Sequence, residues 1–271
     1  AFDRALADED PLIRYTALSS LQTGSDEEYV QLVTPLLFDA VRAVRIEAAS
    51  RLAGVPGTML KPYQREALAE GLAEYERTMV YSLDFSFAGH NLGNLYVRLG
   101  DAARAERYYR DALEVDDLFF PAKVNLAVLY NGQGRNQEAE LLLREVVRDY
   151  PEEYDAAYSL GLLLAEMGRA GDAAEFLGRA SGGMPDRSRA HYNYGLALQQ
   201  VGRLSEAEVA LQQALVLEPD NFDYVFALAD HYARRERWQE ALRLADRMIA
   251  IDPGNPAGAQ VRAFVERRRQ N

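Results

Sequence analysis

Between Ser86 and Asn255 the apolar and small residues fall three or four apart, and the whole pattern repeats every 34 residues. In the first unit Leu92, Gly93 and Tyr96 form one stripe, and Ala105, Tyr109 and Ala112 form another at i, i+4 and i+7. Each unit therefore predicts two amphipathic helices. Gly93, Ala127, Gly161, Gly195 and Ala229 hold the same place in the first helix, and Ala105, Ala139, Ala173, Ala207 and Ala241 the same place in the second. Residues this small let two helix backbones approach closely. Gly100, Gly134, Gly168 and Gly202 stand between the paired helices, where a left-handed stop is needed. Pro151, Pro185, Pro219 and Pro253 separate one unit from the next, because proline cannot continue a preceding helix. A fixed period of this length is the mark of a solenoid.

The Leu-Gly-x-x-Tyr of the first unit, followed in register by Gly, Ala, an aromatic or Leu, Ala and Pro, closely resembles the tetratricopeptide repeat. The resemblance covers five units, 86–119, 120–153, 154–187, 188–221 and 222–255, with residues 256–271 as a capping helix. In that cap Val261, Phe264 and Val265 are expected to face inward, and Arg267, Arg268 and Arg269 outward. Glu236 replaces the turn glycine of the fifth unit, which predicts a different turn there.

The front of the chain follows another rhythm. Asp8, Pro11, Arg14, Ala17 and Leu21 have counterparts 31 residues on in Asp39, Arg42, Arg45, Ala48 and Leu52. This pattern is similar to HEAT-type repeats, whose Asp and Arg commonly hydrogen-bond between successive units. Residues 1–56 are thus expected to be HEAT-like, with the first copy truncated by a cut through a longer protein. Pro62 opens a helix to about Tyr81, which makes 57–85 a connecting segment stacked as a half-repeat. The expected fold is all-α: a right-handed α-solenoid of tetratricopeptide helix pairs with an N-terminal HEAT-like segment.

In the family the first helices line a concave face, and the resemblance assigns exposed places on it. These fall at His90, Asn94, Arg98, Asn125, Val128, Asn131, Tyr158, Leu162, Tyr192, Asn193, Leu196, Phe226 and Asp230. Tyr158, Tyr192 and Phe226 share one place in successive units and are expected to form a row that anchors a peptide, unless the next helix covers them. Asn94, Asn125, Asn131 and Asn193 would bond the partner's backbone. The two-carboxylate clamp of some co-chaperones fits poorly, since His90 replaces its usual Lys and Asp155 and Ser159 stand where basic groups are needed.

Composition narrows the chemistry. There is no cysteine, which removes disulfides, thiolate metal sites and haem attachment within these residues. The three histidines lie on separate predicted helices and make no metal-ligand spacing. No glycine-rich stretch ends as a phosphate loop does, and the acidic pairs sit near helix starts, where they favour the dipole. The sequence therefore predicts no cofactor and no catalysis. A net charge of −12 disfavours nucleic acid and favours a basic or neutral protein segment. No apolar run is long enough for membrane insertion. The expected function is a scaffold that binds a protein or peptide in the concave groove, in the cytoplasm or the periplasm. The alternative comes from the order of the two repeat types, which resembles the C-terminal region of bacterial multihaem c-type cytochromes. This chain would then be a periplasmic docking module, a reading that CxxCH motifs upstream in the gene would support.

Overall fold

The computed structural model describes residues 2–270, and all the regular structure among them is helical. The first five helices are α1 (Phe2–Leu6), α2 (Pro11–Ser20), α3 (Asp26–Val33), α4 (Arg42–Leu52) and α5 (Pro62–Tyr81), with short 3-10 turns at Thr34–Phe38 and Gly57–Met59. Then come five pairs at the 34-residue period: α6 (Ser86–Arg98) and α7 (Ala102–Val115), α8 (Phe120–Gly132) and α9 (Asn136–Asp149), α10 (Tyr154–Glu166) and α11 (Ala170–Gly183), α12 (Ser188–Gln200) and α13 (Leu204–Leu217), α14 (Phe222–Arg234) and α15 (Trp238–Ile251). The last helix is α16 (Pro256–Gln270). Together they make an α-solenoid of the tetratricopeptide type.

The helices group into two compact units, one ending at Leu129 and the other starting at Tyr130. The division falls inside α8.

In the N-terminal unit, Leu18, Val33, Val44, Ala48, Ala49 and Leu52 are fully buried in one core, and α5 lays Ala67, Leu68 and Leu72 against it. Side chains cap the starts of α2 and α5. The Asp10 carboxylate accepts from the Leu12 amide at 2.8 Å at the start of α2, and the Gln64 side chain accepts from the Lys61 amide at 2.8 Å at the start of α5. Arg14 on α2 forks onto Asp39, with Nε 2.6 Å from Oδ2 and Nη2 2.8 Å from Oδ1. Its third arm donates to the Asp8 carbonyl at 2.7 Å, and Arg45 repeats this contact on the Asp39 carbonyl at 2.8 Å. The 31-residue recurrence of Asp and Arg thus corresponds to a physical link between consecutive hairpins.

The close helix pairs explain the small residues. A Cβ built on Gly93 would lie 2.4 Å from Cδ1 and Cε1 of the Tyr109 ring, and one on Gly161 or Gly195 would lie 2.7 Å from the Cγ of Leu177 or Leu211. Each of these large side chains sits sixteen residues after its glycine. The turn glycines Gly100, Gly134, Gly168 and Gly202 all have φ between 74° and 79°. Contrary to the expectation of a different turn, Glu236 keeps the same conformation with φ at 60°. Its turn also keeps the hydrogen bonds of the others: the Arg237 amide donates to the Tyr232 carbonyl at 2.9 Å, as the Asp101 amide does to Tyr96 at 2.8 Å. The packing of α14 on α15 fixes the turn, and the side chain accepts the left-handed strain.

In the C-terminal unit α16 buries Val265 completely, with Val261 half-buried against α15. Phe264 does not turn inward as the stripe predicts. It stays 43% exposed with the Arg268 guanidinium 5.7 Å from its ring, because the helix presents only a narrow seam to α14 and α15.

Candidate functional site

The residues assigned to a partner all lie on first helices, and the two units present them differently. In the N-terminal unit, α6 and α8 bring His90, Asn94 and Asn125 into one polar cluster. Asn125 Nδ2 lies 2.9 Å from His90 Nε2 and donates to Asn94 Oδ1 at 2.7 Å, while Asn94 Nδ2 lies 3.3 Å from the same imidazole nitrogen. The Tyr109 hydroxyl also donates to Asn94 Oδ1, at 2.7 Å. Both amides point hydrogens at His90 Nε2, so that nitrogen accepts and the ring is neutral. Burial lowers the His90 pKa further and pushes the Tyr109 hydroxyl up to about 12. His90 therefore cannot supply the cation of a carboxylate clamp. Val128 beside it is 58% exposed and uncovered.

In the C-terminal unit the predicted aromatic row is only partly open. Tyr158 on α10 is 7% exposed: it belongs to the core, with the Arg187 guanidinium 4.4 Å above its ring and Asn193 donating to its hydroxyl at 2.6 Å. Arg187 is in turn held by Asp155. Periodicity places Tyr158 on the open face, but the long side chain of Arg187, at the end of the same repeat, lies across it. Tyr192 is half-buried and packs on Tyr224 with ring centroids 4.8 Å apart. Phe226 is 42% exposed. Leu162 and Leu196 are half-buried beside them.

The asparagines are not waiting for a peptide backbone. Asn131 donates to Glu166 at 3.1 Å, Asn193 to Tyr158, and Asn94 and Asn125 to the histidine cluster. Asp230 accepts from Arg234 at 2.6 Å. These amides bridge one 34-residue repeat to the next, a role that place-counting along a single repeat does not show. What remains open is apolar: Phe226, part of Tyr192, Leu162 and Leu196.

One charged side chain of the predicted set is uncommitted. Arg98, in the last turn of α6, is exposed and makes no hydrogen bond or ion pair among the described residues. It lines a groove of about 540 Å³ together with Tyr15, Glu47, Arg51, Tyr75, Met79, Asn91 and Asn94. Tyr15, Arg51 and Tyr75 were outside the sequence-based assignment, because they come from the 31-residue region and the connecting helix, where the 34-residue places do not apply.

Models of the tetratricopeptide repeat match residues 90–148, 125–182 and 192–256, which together span more than half of the chain. No curated protein sequence matches it. Among solved structures it is similar to YrrB, a TPR protein with an unusual peptide-binding site, at 23% identity and a TM-score of 0.62 over 70% of this chain and 97% of that one. It is also similar to MamA, at 20% identity and a TM-score of 0.57 over 60% and 95%. A form of MamA from Desulfovibrio magneticus RS-1 matches at 19% identity and 0.55 over 69% and 97%. At these identities the likeness speaks for the fold alone.

Proposed function

Since the chain belongs to the tetratricopeptide repeat family, whose members are generally non-catalytic interaction scaffolds that bind protein or peptide partners, we propose that it binds a protein segment along the open face of its first helices. The observation that carries this reading is the apolar strip on α12 and α14. Tyr192, Leu196 and Phe226 stay partly or largely open there, while the polar side chains around them are paired internally. An aromatic ring flanked by aliphatic side chains, with the surrounding polar groups already satisfied, suits the apolar side chains of a peptide. Phe226 and Tyr192 are the anchors; Tyr158 supports them from within the core.

The test is selection from a phage-displayed library of random peptides, followed by measurement of the selected binders on variants. Tyr192→Ala with Phe226→Ala is expected to weaken binding by about 2 kcal/mol or more while leaving the helical circular dichroism unchanged. Undiminished affinity in that double variant, or a library that yields no binder, overturns the site. Tyr158→Ala is not a clean probe, since it removes a buried ring.

A further inference from the structure

The uncommitted arginine gives the N-terminal unit a recognition chemistry that the apolar strip lacks. The groove around it has one wall from α2 and α4, carrying Tyr15, Ala43, Ile46, Glu47, Ser50 and Arg51. The other comes from α5 and α6, carrying Tyr75, Thr78, Met79, Asn91, Asn94 and Arg98. Three charged groups line it. Arg51 and Glu47 neutralise each other, Nε to Oε1 at 2.7 Å, and Arg51 also donates to the Ser19 carbonyl at 2.7 Å. That leaves the Arg98 guanidinium as the net charge of the groove.

Further donors around it are weakly held or free, and the Asn91 side chain meets the His90 ring. Asn91 Nδ2 also meets the Met79 sulfur, at 3.9 Å, and the hydroxyls of Tyr15 and Tyr75 make no hydrogen bond among the described residues. Burial raises the Tyr75 pKa, so its hydroxyl keeps its proton and can donate. Asn94, by contrast, is held in the histidine cluster and shapes the wall without offering a hand.

We infer that this groove is a subsite for one carboxylate of a bound protein segment, taken by the guanidinium fork of Arg98 with Asn91, Tyr75 and Tyr15 as supporting donors. A guanidinium meets a carboxylate through two parallel N–H···O bonds. Met79, Ile46 and Ala43 give an apolar floor for the methylenes behind it. A phosphate dianion suits the groove less well: only one cation is uncommitted, and the Glu47 carboxylate stands in the wall. The chain's net charge of −12 does not forbid the contact, since charges farther than a Debye length of about 8 Å are screened while the touching pair is not. It does limit the partner to a segment that is neutral or basic elsewhere. The inference rests on the first helices carrying the binding residues, and it specifies what the groove at the end of α6 selects.

The probes are sodium acetate, sodium phosphate and three peptides, acetyl-Gly-Ser-Glu-Ser-Gly-amide, its Gln counterpart, and that Gln peptide with a free C-terminus. Binding is followed by NMR of the Arg98 Nε–H and Asn91 Nδ2–H signals of the full chain, with chloride at equal ionic strength as reference. Acetate is expected to shift both signals along a saturating curve that chloride does not produce. Arg98→Gln should abolish the Asn91 shift, and Arg98→Lys, which keeps the charge at the end of α6 but not the fork, should weaken acetate by about tenfold. Shifts from the Glu peptide assign a side-chain carboxylate, and shifts from the free-terminus peptide a C-terminal one. The inference is overturned if acetate acts as chloride does, if phosphate matches acetate, if Arg98→Gln keeps the Asn91 shift, or if neither charged peptide exceeds the blocked Gln peptide. No selected binder and no residue of the α12–α14 strip enters this read-out, so either site can fail alone.

Discussion

Single residues carry departures from the repeat whose consequences can be measured. Glu236 holds a left-handed φ of 60° where four other units use glycine. Glu236→Gly should therefore stabilise the C-terminal unit by about 1 kcal/mol, seen as a higher thermal midpoint. An unchanged or lower midpoint would show that the side chain recovers the strain elsewhere. His231 on α14 is 1% exposed; Gln199 Nε2 donates to its Nδ1 at 3.0 Å, and its Nε2 has no hydrogen-bond partner. Around it stand Glu208, 4.0 Å from Nε2, and the guanidinium groups of Arg235 and Arg237, both bonded to Glu208. Burial is the main cause that lowers the His231 pKa from 6.5, and the nearby Glu208 opposes it. The unfolded chain then takes up the proton first as the solution is acidified. Stability contributed by the neutral ring is complete above about pH 6.5 and declines below it. His231→Gln should flatten the fall in thermal midpoint between neutral pH and about pH 5. An equally steep fall in the variant would remove His231 as its source.

Helices in this chain are joined by periodic polar links as well as by packing. Arg14 and Asp39 tie α2 to the turn before α4, and the Asp39 side chain is almost wholly buried. The Arg14 guanidinium holds the Asp39 carboxyl below its ordinary value of 3.8. A depressed carboxyl stabilises the fold above its unfolded pKa and stops doing so as the pH drops through the folded value. Asp39→Asn should thus lower the thermal midpoint by a constant amount from neutral pH down to about pH 4, with the difference from wild type closing below that. A difference that persists into stronger acid would point to packing, not charge. In the later units the link changes form: Arg169 reaches Glu140 at 2.7 Å and Arg237 reaches Glu208 at 2.6 Å, each a residue just after a turn meeting the preceding second helix.

At the scale of the whole chain, 42 acidic against 30 basic side chains set a negative field that any partner must enter. Segments selected on the α12–α14 strip should therefore be neutral or basic overall. For basic ones, affinity should fall as salt is raised from low to physiological ionic strength. Fluorescence anisotropy of a selected basic peptide at several salt concentrations checks this. Binding indifferent to salt would mean that the apolar anchors decide affinity alone.

The 34-residue period, the small residues at helix crossings and the turn glycines were enough to specify helix pairs and their stacking, because those features depend on backbone geometry that every unit repeats. The start of α5 was legible for another reason, since proline fits the first turn of a helix. Exposure was not. Tyr158 shares its place with Phe226, yet Arg187 covers one ring and nothing comparable covers the other. The asparagines read as hands for a ligand turned out to be clasped within the protein. The groove at Arg98 draws its walls from segments of different period. Local sequence fixes which face of a helix is apolar; whether that face is open depends on side chains contributed by other helices, and only the folded arrangement decides where those come to rest.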